Sequence, residues 1–119
     1  MYKKLQMPEV SIITPCYNSS KFLKETIDSV LNQTFTDWEW LITDDCSQDD
    51  SAEIIKTISD PRIILHVAEK NGGAGHARNI SLRKASGRFI TFLDADDFWN
   101  PEFLEEMVNF MKKENAELA

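Results

Sequence analysis

Apolar residues fall along this chain in two alternating rhythms. Four short runs, at residues 10–14 (VSIIT), 38–43 (WEWLIT), 62–67 (RIILHV) and 88–93 (RFITFL), end in polar or turn-forming residues, which predicts strands. Between and after them the period lengthens to that of a helix. Phe22, Leu23, Ile27, Val30 and Leu31 share one face of a helix predicted at 21–33, with Asn18, Ser19 and Ser20 ahead of it as candidate caps. A second helix, 51–58, follows the acidic run Gln48-Asp49-Asp50 and is closed by Asp60-Pro61. A third begins near Gly75 and ends by Gly87, where glycine suits the left-handed conformation of a helix end. In the fourth, 101–116, Asn100 is the expected cap and Pro101 the first helical residue, with Phe103, Leu104, Met107, Val108 and Met111 at helical spacing.

Strand and helix alternating over connections of this length predict parallel strands joined by right-handed crossovers. The expected class is α/β: three layers around a mainly parallel sheet of Rossmann-like βαβ units. Such a sheet binds ligands beyond the carboxyl ends of its strands. The segments at those ends are TPCYN (14–18), DDCS (44–47), NGGAG (71–75) and DADD (94–97), so four polar stretches fall on one edge.

Composition narrows the class. A chain of 119 residues, 42% hydrophobic, builds one core, which makes 1–119 a single domain. A net charge of -7 with scattered cations excludes a nucleic-acid partner, because affinity for phosphate backbone needs clustered Lys and Arg. No apolar run approaches the roughly 20 residues that span a bilayer, and MYKKLQMPEV lacks the apolar stretch of a signal peptide, so no membrane segment and a cytoplasmic location are expected. Cys16 and Cys46 are too few for a disulfide framework and match no zinc spacing. His66 reads as a strand residue, His76 as a rim group, and Trp38, Trp40 and Trp99 as core or edge packing.

Asp94 and Asp96 carry the sharpest chemistry. Two apart in an extended segment, they point the same way about 6.8 Å apart along the chain. A carboxylate and a phosphate charge ~4 Å apart repel by ~4 kcal/mol at an effective dielectric of ~20, so such a pair binds a diphosphate only with a cation between them. Mn²⁺ or Mg²⁺ fits, since Mg²⁺ in particular takes one or two carboxylates and completes its shell with substrate phosphates. An Asp-rich turn capping the following helix accounts for the same residues equally well. Asp44 and Asp45 suit acceptance of a hydrogen bond from an imide N–H or a sugar hydroxyl, and a turn role fits Asp45 as well. Tyr17 offers a face for a base or simply packs half-buried. Gly72, Gly73 and Gly75 open a helix where backbone N–H groups favour an anion, although a flexible loop has the same composition. Arg78, on the first turn of that helix, is placed to reach a phosphate or to remain solvated.

Taken together, VSIITPCYN, SVLNQTF, ITDDCSQDDS, NGGAGHARN and GRFITFLDADDFWNP resemble, in order and spacing over residues 8–104, the family 2 glycosyltransferases of the GT-A fold. The resemblance implies transfer of a sugar from a nucleoside diphosphate donor, a UDP-sugar above all, to an acceptor hydroxyl, by a metal-dependent inverting reaction of polysaccharide biosynthesis. Residue by residue, it places Pro15 and Tyr17 along the nucleotide base and Asp44 against uracil, with Asn18, Asp45, Asn71, Gly72 and Gly73 also at the donor. Arg78 falls near the diphosphate. Asp94 and Asp96 match the DxD motif, Asp96 as the direct metal ligand and Asp94, with Ala95, toward ribose or sugar. Cys46 stands where the family commonly has glycine or asparagine, and His76 where a small residue is frequent.

In such enzymes the general base belongs to an acceptor-binding half C-terminal to the DxD segment. The chain therefore reads as the donor-binding half, truncated, with no catalytic base of its own and little or no transfer expected. A saccharide or lipid-linked acceptor belongs to the full-length protein, expected at the inner face of the membrane. The rival classes are a response-regulator receiver, which places its acidic pair after the first strand, and a non-catalytic nucleotide-binding module. A nicotinamide-binding domain would need a glycine-rich turn after the first strand, and residues 17–20 (YNSS) contain no glycine.

Overall fold

The computed structural model describes residues 7–114. Its eight elements are β1 (Val10–Cys16), α1 (Ser20–Leu31), β2 (Trp38–Asp44), α2 (Ser51–Lys56), β3 (Ile63–Val67), α3 (Ala74–Lys84), β4 (Phe89–Phe92) and α4 (Phe103–Lys113). All strand pairs are parallel, in the order β3-β2-β1-β4. The order reverses between β1 and β4, and the crevice beyond such a reversal is where open sheets of this kind seat ligands.

Alternation along the strands builds the three layers. Val10, Ile12 and Cys16 of β1 and Trp38, Trp40 and Ile42 of β2 turn to one face, where Leu23, Ile27 and Val30 of α1, Ile55 of α2 and Leu104 and Val108 of α4 close the main core. Trp40 is fully buried, and its indole N–H donates to Thr14 Oγ1 at 2.8 Å. α3 covers the other face at β1 and β2, where Ile13, Leu41 and Ala77 are buried and the hydroxyls of Thr43 and Ser81 meet at 2.7 Å. The α1 stripe is narrower than its apolar spacing predicts. Phe22 and Leu31 remain 47% and 38% exposed at its margins, while Thr26 is buried within it.

Element ends differ from the sequence expectation for identifiable reasons. None of the candidate residues caps α1 with its side chain. The Ser19 and Ser20 N–H groups are instead met from across the chain by Ser51 Oγ (2.8 Å) and Asp49 Oδ2 (3.1 Å). α2 stops at Lys56 because Thr57 and Ile58 bond three residues back, to Ile54 and Ile55, in a tightened last turn. α3 starts at Ala74 behind Gly73, whose φ of 95° only glycine adopts freely, and ends at Lys84. Gly87 is not left-handed. It is required because a Cβ there would meet the Ser11 backbone N at 2.6 Å, so glycine lets the chain run against β1. The α-helix proper of α4 begins at Phe103, two residues later than expected. Asn100 acts in the preceding turn, its Oδ1 accepting from Glu102 N at 3.2 Å and its carbonyl from Phe103 N at 3.2 Å. Residues 115–116 of the expected helix lie outside the described residues.

Candidate functional site

Because all four strands are parallel, the segments that follow them emerge at one edge. β1 delivers Pro15 in its last residues and Tyr17 just beyond, and Tyr17 is 46% exposed. β2 ends in two consecutive aspartates that alternate in direction. Asp44, in phase with Trp40 and Ile42, turns inward, is 1% exposed, and accepts from Ser47 N (2.9 Å) and Ser47 Oγ (2.6 Å). Asp45 turns the other way and holds the glycine segment, its Oδ1 accepting from Gly72 N at 2.9 Å and its Oδ2 from Gly73 N at 2.8 Å. Asn71 Nδ2 donates to the Asp45 carbonyl at 3.2 Å. Pro15, Cys16, Tyr17, Asp45, Asn71, Gly73 and Ala74 together line a pocket of about 220 Å³.

The structure thus brings five of the sequence-singled residues into one pocket and leaves others beside it. Asn18, at φ 49°, uses its backbone N–H on Ser47 Oγ and its Oδ1 on Gln48 N, bracing the 46–48 turn. Gly72 is packed against the His76 ring, which a Cβ would strike at 2.5 Å. Arg78, half-buried on α3, makes no ion pair or side-chain hydrogen bond among the described residues. Cys16 is no nucleophile at neutral pH. Burial, helped by the adjacent Asp44 charge, pushes its thiol up to about 12.

Beyond β4 the acidic segment is a turn rather than the extended run that the 6.8 Å spacing assumed. Asp97 N donates to Asp94 O at 3.1 Å, and residues 95–96 form its corner. The turn geometry still separates inside from outside. Ala95 is buried at 4% exposure, so only its backbone can meet a ligand, whereas Asp94 and Asp96 are exposed and accept no side-chain hydrogen bond or ion pair from any described residue. Unpartnered carboxylates on a fixed turn fit a hard cation. Among the described residues no cluster of three or more His, Cys, Asp or Glu side chains forms a complete metal cage, so the remaining ligands of such an ion would come from phosphate and water.

The profile of Glycosyl transferase family 2 matches residues 11–119. The chain belongs to that family. As a family 2 glycosyltransferase sequence it is 46% identical, over 89% of its length, to the UDP-Glc:alpha-D-GlcNAc-diphosphoundecaprenol beta-1,3-glucosyltransferase WfgD of Escherichia coli, of which it covers 42%. It spans less than half the length of the first curated relatives it matches. Its fold superposes with a TM-score of 0.84 on residues 1–349 of Staphylococcus aureus TarS in complex with UDP, at 34% identity, covering 88% of this chain and 32% of that one. TarS has also been solved with UDP-GlcNAc. The mannosyltransferase PcManGT of Pyrobaculum calidifontis, in complex with GDP-Man and Mn²⁺, matches at a TM-score of 0.71 and 27% identity over 79% of this chain and 29% of that one. Membership of this family, and a strand order of 3-2-1-4 rather than the 2-1-3-4-5 of receiver domains, leave the receiver reading without support.

Two residues that hold the site of this family 2 protein escaped the sequence reading. Thr26 of α1 lies under the acidic turn, its hydroxyl 2.6 Å from the Asp97 carbonyl. Gln33, 4% exposed, donates to Asn100 O at 2.7 Å and accepts from Leu104 N at 2.9 Å, pinning the start of α4. The signal was present. Thr26 interrupts an apolar helix face, and Gln33 lies within SVLNQTF at the end of the helix predicted at 21–33.

Proposed function

We propose that this chain is the donor-binding part of an inverting glycosyltransferase and takes a UDP-sugar with Mn²⁺ or Mg²⁺. One observation carries the reading: residues from three separated segments, 15–17, 45 and 71–74, converge on one pocket at the sheet edge that also bears the two unpartnered carboxylates of Asp94 and Asp96. The UDP and UDP-GlcNAc complexes of TarS support this class of donor.

In this reading Tyr17 and Pro15 give the base an apolar wall. Asp44 is the aspartate offered to the imide N–H, while Asp45, 2% exposed and with its two carboxylate oxygens on the Gly72 and Gly73 N–H groups, holds the pocket wall. Arg78 presents an uncompensated positive charge toward the diphosphate. Asp96 and Asp94 hold the cation, Asp94 also facing ribose or sugar. When bound, the ion neutralises the diphosphate and stabilises it as a leaving group. The base that takes the acceptor proton is a carboxylate outside this chain, in an acceptor-binding half that packs against the open edge of β4. The saccharide or lipid-linked acceptor belongs to that half. The lipid-linked substrate in the name of WfgD supports an acceptor of this kind and a location at the inner membrane face. No helix among the described residues is long and apolar enough to cross a membrane.

Calorimetric titration with UDP, GDP and dTDP, with and without Mn²⁺, tests the reading. UDP should bind tightest and only with the ion, and Asp96→Ala should weaken metal-dependent binding at least tenfold, on the order of 1.4 kcal/mol. Equal affinity for the three nucleotides, metal-independent binding, or robust sugar transfer by the 119-residue chain would each overturn it.

A further inference from the structure

We infer that Thr26, a residue of α1 outside the nucleotide pocket, is a positioning residue for the acidic turn; the inference rests on the reading of Asp94 and Asp96 as cation ligands. Thr26 sits on the buried face of α1 between Leu23 and Val30 and is 1% exposed. A hydroxyl placed there is costly unless it is hydrogen-bonded. The usual local partner of a helical threonine is the carbonyl four residues back, and Phe22 O is the most distant of its three neighbours at 3.3 Å. The closer two come from the far end of the sequence: Ala95 O at 3.0 Å and Asp97 O at 2.6 Å. Those carbonyls stand on either side of Asp96.

A threonine hydroxyl has one proton to donate, and here it faces the Ala95 carbonyl, in the peptide just before the expected metal ligand, and the Asp97 carbonyl, one residue beyond it. The remaining restraints come from the turn itself: Asp97 N bonds Asp94 O at 3.1 Å, and the Ala95 side chain is buried in the core. Without a cation, the two like-charged carboxylates on this turn repel and favour its opening. An anchor beneath residue 96 opposes that motion and keeps the pair disposed for an incoming ion, so that binding costs less ordering. Thr26 touches neither ion nor donor in this scheme and acts only through the backbone of residues 95–97.

The test compares the unaltered chain with Thr26→Val, which keeps the shape and removes the hydroxyl, and Thr26→Ser, which keeps the hydroxyl. Two quantities are read in the folded proteins: the factor by which Mn²⁺ tightens UDP binding, by calorimetry, and hydrogen exchange at the Asp97 amide, with the Leu93 amide, bonded to Ile13 O, as an internal control. Thr26→Val should lower the Mn²⁺ factor about tenfold, as loss of a supporting residue behind a metal ligand typically does. It should also speed exchange at Asp97 but not at Leu93, and Thr26→Ser should restore both. An unchanged Mn²⁺ factor or unchanged Asp97 exchange in Thr26→Val overturns the assignment. A merely structural role lowers melting temperature and leaves the Mn²⁺ factor alone. Should the valine variant fail to fold, Thr26→Cys, a far weaker donor of similar volume, takes its place under the same criteria. If the unaltered chain shows no Mn²⁺ effect on UDP, it is the metal reading that fails, an outcome distinct from an effect that Thr26→Val leaves intact.

Discussion

Cys46 and Asn18 are the two non-glycine residues with a left-handed backbone among those described, at φ 63° and 49°. Asparagine tolerates that region, and Asn18 recovers its cost through Gln48 and Ser47. Cys46 has only a 3.7 Å sulfur contact to Glu69 O. Glycine and asparagine, the residues the resemblance leads one to expect at this position, adopt that conformation more readily. Cys46→Gly should raise stability by about 1 kcal/mol, read as a higher urea midpoint at unchanged slope. At this scale residue types were legible and directions were not. Asp44 and Asp45 look interchangeable in the sequence and are both buried, at 1% and 2% exposure, yet strand alternation puts Asp44 in phase with Trp38, Trp40 and Ile42 and turns Asp45 to the glycine segment at Gly72 and Gly73. The phase was available in the sequence; where β2 stopped was not, and a strand ending at Thr43 assigns no face to either aspartate.

Among the elements, the join between the N-termini of α1 and α2 is a hydrogen-bonded knot that local signals did not reveal. Asp49 accepts from Ser51 N (2.9 Å), Ser51 Oγ (2.6 Å) and Ser20 N (3.1 Å), while Ser51 Oγ accepts from Ser19 N. Desolvation pushes the Asp49 carboxyl up, but the bonds from Ser51 and Ser20 outweigh it and bring it down to about 2. A carboxyl depressed in the folded state stabilises the protein above its unfolded value, near 3.9, and that contribution disappears as pH falls toward 2. Asp49→Asn should therefore cost stability at pH 6 and make little difference near pH 2, a convergence measurable in urea midpoints across that range. Caps were expected from neighbours in sequence. The structure supplies them from about thirty residues away for α1, and from Gln33 for α4, because partners brought in by the fold leave no mark on a local window.

For the whole molecule, the alternating rhythm of apolar runs was enough to give eight elements, parallel pairing and a single edge for the polar segments. It did not give strand order, which depends on how each crossover packs. Among the described residues that order leaves β4 with one neighbour, β1, and leaves Ile90 and Phe92 44% and 50% exposed on the α3 face of the sheet, where α3 packs over β1 and β2 rather than β4. An unpaired strand edge flanked by apolar side chains is a template for another copy. The 119-residue chain should accordingly self-associate as concentration rises, and the double substitution Ile90→Lys with Phe92→Lys should keep it monomeric in sedimentation equilibrium without loss of helical circular dichroism. The pocket of Tyr17, Asp45 and Asn71, by contrast, is walled by residues at or beyond the ends of β1, β2 and β3 and owes nothing to β4. On the proposed donor-binding reading, nucleotide preference would rest with β1 to β3, so substitutions along the β4 seam should leave the choice of nucleotide as it was.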